Sequence, residues 1–342
     1  MRQGISVIIP TYNRDQFIGE AIESALNQKY NGKLEIIISD DGSTDKTLEI
    51  AGSYGKSVAI LRKEKTCLSQ GASGARNRGL KAASQPYICF LDSDDFYLPD
   101  HLNHIASILD NNANLDFAFC RMLEVKEENQ RMFKQWTKQH INKKDVLHPV
   151  VSGGGVVHTN IFLFRRCVFD KVGYFNESFP TGEDGDLWMR ISEQFKGGFS
   201  DHYGAAYRIQ HGAGQLSNNT QEVFRSCFLT IYSNAIERYF QLDLKNSYRI
   251  FSLRQRLSSC KYSNKLSNGE FSNYGLIYYA NYIYLIFRYP VPFLQKTPSL
   301  FLKLFKKKKK RDWHELSHFL KDENSISQQC RKGLNSAVTL DS

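Results

Sequence analysis

Four short apolar, β-branched runs, Ile5–Ile9, Leu34–Ile38, Val58–Leu61 and Tyr87–Leu91, open the chain, each bounded by polar or glycine-containing segments. Runs of this kind suit strands buried on both faces. Between the first two, Phe17, Ile18, Ala21, Ile22, Ala25 and Leu26 keep the spacing of an amphipathic helix, and Thr47–Tyr54 and Ala75–Ala83 predict two more. Strand and helix in regular alternation predict an α/β, doubly wound layout, in which ligands gather at the carboxyl ends of the strands.

The pattern changes after about residue 110. Phe117–Phe119 and Ile161–Phe164 are strand-like, Lys126–Lys144 is polar, helical periodicity returns near Leu187–Ile191, and from Glu222 onward the chain reads as mostly helical. A length of 342 residues has room for about two domains, and we expect them at 1–217 and 218–342. The hydrophobic fraction of 41% is enough for a sizeable core and excludes disorder throughout.

Charge is divided along the chain. Residues 245–342 hold 18 Lys/Arg against 6 Asp/Glu, whereas residues 1–244 hold 27 against 29. A nearly neutral body with a basic tail argues against a nucleic-acid-binding core and for a local contact with an anionic surface. Tyr274–Phe287 is apolar but only 14 residues long, short of the ~20 a membrane span needs. Leu300, Phe301, Leu302, Leu304 and Phe305 then run into Lys306–Lys310 and Arg311, a pairing of apolar anchors and cations suited to resting on an anionic lipid face. A buried interdomain helix is the competing reading of the first stretch, and a solvated lysine tail or a nucleic-acid contact that of the second.

Seven cysteines, none in a C-x-x-C pair, give no zinc or disulfide framework and fit a reducing cytosol. The N-terminal MRQGISVIIPTYN moves into a strand-like run without a signal-peptide apolar segment, so no secretion is expected.

Polar residues cluster where the layout puts a site. Pro10-Thr11-Tyr12-Asn13 closes the first strand, Asp40-Asp41-Gly42-Ser43 the second, and Asp92-Ser93-Asp94-Asp95 the fourth. Three carboxylates in four residues repel one another unless a divalent cation sits among them, and hard oxygen ligands suit Mg²⁺ or Mn²⁺. An acidic helix N-terminus is the plainer alternative. An EF-hand loop is excluded by Tyr97 and Asn103 at its sixth and twelfth positions. Asp40 could cap the following helix, or accept a hydrogen bond from the imide N–H of a uracil-like base. Gly71-Ala-Ser-Gly74-Ala-Arg76-Asn77 could be a flexible loop, or could bring backbone N–H groups and Arg76 to a diphosphate; it is neither a P-loop nor a dinucleotide-binding motif.

Six segments in order, SVIIPTYNR (6–14), EIIISDDGSTD (35–45), GASGARNRGL (71–80), FLDSDD (90–95), VGYFNE (172–177) and GEDGDLWMR (182–190), resemble the family-2 glycosyltransferases of the GT-A fold over roughly residues 4–217. The resemblance implies a Rossmann-like mixed central sheet flanked by helices, a nucleotide diphosphate sugar donor, a glycan or lipid-linked acceptor, inversion, and a cytoplasmic or inner-membrane-face location. It implies that Pro10, Thr11, Tyr12, Asn13, Asp40, Asp41, Gly71, Arg76, Asn77, Asp92, Ser93 and Asp94 serve the donor, that Asp95 ligates Mn²⁺ or Mg²⁺ with Asp94 or Asp92 assisting, and that Asp184 is the general base with Glu183 its rival. His211 falls near a position where relatives often carry a metal-contacting residue, although the spacing from Tyr207-Arg208 is one residue longer than the common pattern. A sugar-nucleotide nucleotidyltransferase is the alternative enzyme class, and a non-catalytic scaffold the alternative to enzymes; Pro10–Arg14 is not the glycine- and arginine-rich loop of the former.

Overall fold

In the computed structural model, residues 2–64, 71–126, 134–135, 158–179 and 182–209 are described. They fall in a compact unit, Met1–Ala235. The predicted boundary at 217/218, the C-terminal extension and His211 lie outside the described residues.

The elements run β1 (Ile5–Thr11), α1 (Ile18–Leu26), β2 (Leu34–Asp40), α2 (Thr47–Ser53), β3 (Ala59–Arg62), α3 (Gly71–Ala82), β4 (Tyr87–Phe90), β5 (Phe96–Tyr97), α4 (His101–Asp110), β6 (Phe117–Lys126), β7 (Lys134–Gln135), β8 (Phe162–Arg165), α5 (Cys167–Val172), α6 (Glu183–Gln194) and β9 (Gly197–Ile209). One mixed sheet orders its strands β3-β2-β1-β4-β8-β6-β9-β5, with β7 paired to β6. The β3-β2-β1-β4 half is parallel, and β8 joins β4 antiparallel.

Every residue of β1 and β4 is buried, as their continuous apolar runs require. The run at Val58–Leu61 behaves differently: β3 is the edge strand, and Ala59 and Arg62 are exposed. Pro10 is tolerated in a central strand because pairing of β1 with β4 ends at Ile8↔Phe90, so its missing N–H leaves no gap in that ladder. Helix α3 begins at Gly71, earlier than the apolar periodicity predicts, so the GASG stretch is the first turn of a helix and not a flexible loop. Gly79 lets that helix lie against β1, since a Cβ there would collide with Ile8.

The parallel register aligns Thr11 with Asp40. The polar ends of β1, β2 and β4 therefore meet on one sheet edge. A second aromatic layer backs the site: Trp188 of α6 stacks on Phe162 and Phe164 of β8, with ring centroids at 4.6 and 5.1 Å, and this fixes the orientation of α6.

Candidate active site

The loops after β1 and β2 are clasped together by side chains. Asn13, at φ 49°, receives the Thr44 N–H on Oδ1 at 2.8 Å and donates its own N–H to Ser43 Oγ at 2.9 Å. Asp40 is 1% exposed, and its two oxygens accept the backbone N–H groups of Gly42 and Ser43 at 3.0–3.1 Å. It caps its own turn. Asp41 is the more accessible carboxylate, held by Arg78 Nη2 at 3.0 Å, the Gly71 N–H at 2.7 Å and Lys63 Nζ at 3.8 Å. Beside them Tyr12 is 54% exposed, a large aromatic face at the mouth of the site, while Thr11 Oγ1 is buried without a hydrogen-bond partner.

The acidic loop after β4 is only partly neutralised by arginines. Asp92 accepts from Arg76 Nη2 at 2.7 Å, and Asp94 lies 3.5 Å from Arg14 Nε. Asp95, almost fully buried, accepts the Asn160 amide at 2.6 Å and the Arg208 backbone N–H at 2.8 Å. It also lies 3.9 Å from the His158 imidazole, whose pKa burial pulls below its ordinary value. Burial, then the charges of Asp94 and Asp92, push the Asp95 carboxyl well above the usual carboxylate range. Burial and Asp92 likewise raise Asp94. Burial also opposes ionisation of Asp92, but Arg76 and His158 together outweigh it and hold that carboxyl below its ordinary value.

Ligand atoms of Asp92, Asp95 and His158 lie within 4.8 Å of one another. Two hard carboxylate oxygens and one imidazole fit a Mn²⁺- or Mg²⁺-class ion, and positive charge there would relieve the repulsion that raises Asp95.

Arg76 ties this loop to the other wall of the site. Its Nη1 donates to Glu183 Oε1 at 2.8 Å while Nη2 holds Asp92. The guanidinium is buried, packs 5.4 Å from the centre of the Phe175 ring and is kept firmly protonated by both carboxylates against the effect of burial. Glu183, Asp184 and Asp186 form the first turn of α6, where the helix dipole favours negative charge, and Gly182 precedes them at φ 76°. Asp186 is engaged by Arg190 at 2.8 Å within the helix. Asp184 accepts the Gly185 N–H at 2.6 Å, and burial followed by the Glu183 charge raises its pKa to about 7.

Asn77 has a different place from the one expected. Its amide bonds the backbone N–H and C=O of Phe175 at 2.9 Å and Glu177 Oε1 at 2.6 Å, so it pins the Gly173–Glu177 segment and has no N–H left for a donor sugar. His158, Asn160 and Arg208 carry no local sequence signal. Asn160 is fully buried, accepting the Asp92 N–H at 2.8 Å and donating to Asp95, so one amide sets the shape of the acidic loop. Only the pairing of β8 and β9 with distant strands brings these three side chains to the cluster.

A model of the family described as Glycosyl transferase family 2 matches residues 6–173. The chain is 32% identical over 235 residues to an uncharacterized glycosyltransferase of Rickettsia felis, a match covering 66% of this chain and 38% of that relative, so it spans well under half of that protein's length. It is 30% identical over 259 residues to the Escherichia coli UDP-Glc:alpha-D-GlcNAc-diphosphoundecaprenol beta-1,3-glucosyltransferase WfaP, covering 73% of this chain and 90% of WfaP. Staphylococcus aureus TarS 1–349 in complex with UDP-GlcNAc superposes with a TM-score of 0.54 at 23% identity, over 70% of this chain and 73% of that one. That likeness bears on the fold, in which the ends of β1, β2 and β4 meet on one sheet edge and Arg76 joins the acidic loop to α6. The chain belongs to the family-2 glycosyltransferases and has their GT-A fold.

Proposed function

We propose that the chain transfers a hexosyl group from a UDP-sugar to a hydroxyl of a lipid-linked or glycan acceptor, with inversion, using Asp184 as general base. The observation that carries this reading is the Arg76 bridge, which sets an acidic donor-side loop and an acidic acceptor-side helix turn on either side of one buried cation. Substituting an anomeric diphosphate in one step needs charge stabilisation at the leaving group and a proton acceptor on the opposite face.

Each part has a residue suited to it. Tyr12 offers a stacking face for the nucleobase, and Asp41 offers a carboxylate to its imide N–H, since Asp40 is enclosed by its own turn. Asp95, with Asp92 and His158, would hold Mn²⁺ or Mg²⁺; when bound, that ion supplies positive charge to the departing diphosphate. Glu183 is the partner of a permanent cation, whereas Asp184 has a proton affinity near neutrality and can take a proton from an attacking hydroxyl. Oxocarbenium character in the transition state is then flanked by carboxylates.

The UDP donor and the lipid-linked acceptor are supported by what WfaP is named for and by the ligand of the TarS complex. The basic segment at Lys306–Arg311 supports work at an anionic membrane face on the cytoplasmic side. No helix among the described residues is long and apolar enough to cross a membrane. The test is sugar transfer from a panel of UDP-, GDP- and dTDP-sugars to undecaprenyl-diphosphate-linked acceptors with Mn²⁺. Acceptor-dependent release of UDP supports the proposal; transfer from GDP-sugars alone would contradict the donor assignment, and no transfer from any donor would contradict the activity.

A further inference from the structure

A second cluster of metal-ligating side chains lies away from the acidic loop, where α4 packs on β6 and β9. His101 opens α4, Cys120 is in the middle of β6, and His202 is on β9; a ring nitrogen of each histidine and Cys120 Sγ lie within 4.8 Å of one another. We propose that His101, Cys120 and His202 form a structural site for a zinc-type divalent ion.

The backbone is irregular at this point. Phe119 pairs with Phe199 and Arg121 with Tyr203, so Cys120 alone stands opposite three residues, Ser200, Asp201 and His202; a further shift sets Gly204 between the pairs Arg121↔Tyr203 and Met122↔Ala205. Bulges re-aim side chains, and this one brings His202 to Cys120. Gly204 completes the arrangement, because a Cβ there would collide with both His101 Nδ1 and Cys120 Sγ.

The hydrogen bonding leaves nitrogens unused. His202 Nδ1 is 2.7 Å from Ser200 Oγ, and its Nε2 is buried with no partner. His101 is fully buried, and its Nε2 also has none, while Nδ1 is 3.7 Å from Cys120 Sγ. His104, one turn along α4, bonds the Asp100 carbonyl through Nδ1 at 2.9 Å and sets its ring 4.8 Å from that of His202. An imidazole whose Nδ1–H donates to a carbonyl, as His104 does, presents the Nε2 lone pair, the usual form of a zinc-bound histidine, and His202 takes the same form when its Nδ1–H donates to Ser200 Oγ.

Metal–nitrogen bonds of about 2.0 Å and a metal–sulfur bond of about 2.3 Å set tetrahedral ligand atoms roughly 3.3–3.8 Å apart. The Nδ1–Sγ separation of His101 and Cys120 is already 3.7 Å. The Cys120 thiol proton would leave to solvent as the metal–sulfur bond forms.

The site would serve the fold. Tyr97 packs its ring 4.7 Å from His101 and pairs with Ala205, and β9 runs on to Arg208, whose backbone N–H holds Asp95. An ion clamping α4, β6 and β9 would steady the strand that carries this contact.

The test is Co²⁺ titration of the metal-stripped full chain, followed by absorption. The expected result is a near-ultraviolet thiolate-to-cobalt charge-transfer band, which an oxygen-and-imidazole site at Asp95 cannot give. Zn²⁺ should displace it at one equivalent. The band should vanish in Cys120→Ser, and Co²⁺ should bind at least about tenfold more weakly to His202→Gln, a half-buried position that spares the core. Absence of the band in the wild-type chain would overturn the proposal. So would a band of unchanged intensity and affinity in His202→Gln, whether or not Cys120→Ser folds.

Discussion

Arg76 donates to Glu183 across the site at 2.8 Å, from a buried guanidinium that also holds Asp92. This contact separates two adjacent carboxylates that sequence alone leaves as rivals. Glu183 is committed to a permanent charge, and Asp184 beside it carries the raised proton affinity. Removing Arg76 would therefore disturb both walls together. Arg76→Met should lose transfer activity and weaken donor binding, whereas a change to Glu183 should affect chiefly the geometry of α6.

The two carboxylates after β2 have different work. Asp40→Ala should cost about 1–3 kcal/mol of stability, because charge-assisted bonds to Gly42 and Ser43 are lost. Asp41→Ala should instead weaken UDP binding while shifting Tm little. Thermal melts and UDP titration calorimetry on both variants check the division; equal loss of UDP affinity in the two would count against it.

How much of this was legible beforehand depended on sequence distance. β1, β2, β4 and α1 announce themselves because local apolar periodicity matches burial in a central sheet. The body of α3 is legible from Ala75 onward, but its first turn is not, since Gly71-Ala-Ser-Gly74 has low helix propensity and is stabilised instead by position, with the Gly71 N–H on Asp41. The acidic loop is readable as a motif, but its shape is set by Asn160 and its histidine by His158, both more than sixty residues downstream and placed only by β8 pairing with β4. Asn77 shows the converse: it sits in a recognisable motif, and the fold uses its amide for Phe175 and Glu177.

Metal removal tests the acidic loop. EDTA should abolish turnover, and Mn²⁺ or Mg²⁺ should restore it. Asp95→Asn should need far higher metal for any activity, because Asn160 and the Arg208 N–H hold the wild-type carboxylate in place as an oxygen donor. Turnover by Asp95→Asn in chelator at the wild-type rate would show that the cluster has another purpose.

The pH dependence follows from Asp184. A base must be ionised to accept a proton, so with its pKa near 7 the turnover number should fall about tenfold per pH unit below neutrality and level off above it. Glu183→Gln removes a neighbouring negative charge, so it should move this limb to lower pH. A limb that stays in place in that variant would assign the titration to another group.

Lys306–Lys310 and Arg311 lie outside the described residues, and their prediction rests on the sequence, in which apolar anchors run into the cations. Cosedimentation with anionic vesicles at low salt should exceed that with neutral vesicles, and should drop when Lys306–Lys310 are changed to Gln. Equal, negligible binding by both proteins would leave the segment without this role.

The most direct measurement of the central claim compares kcat and donor affinity in Asp184→Asn and Glu183→Gln. With Asp184 as base, Asp184→Asn should lose about 10²- to 10⁴-fold in kcat with UDP-sugar affinity unchanged, and Glu183→Gln should keep substantial turnover. A dead Glu183→Gln beside an active Asp184→Asn would contradict the account and move the base one residue upstream.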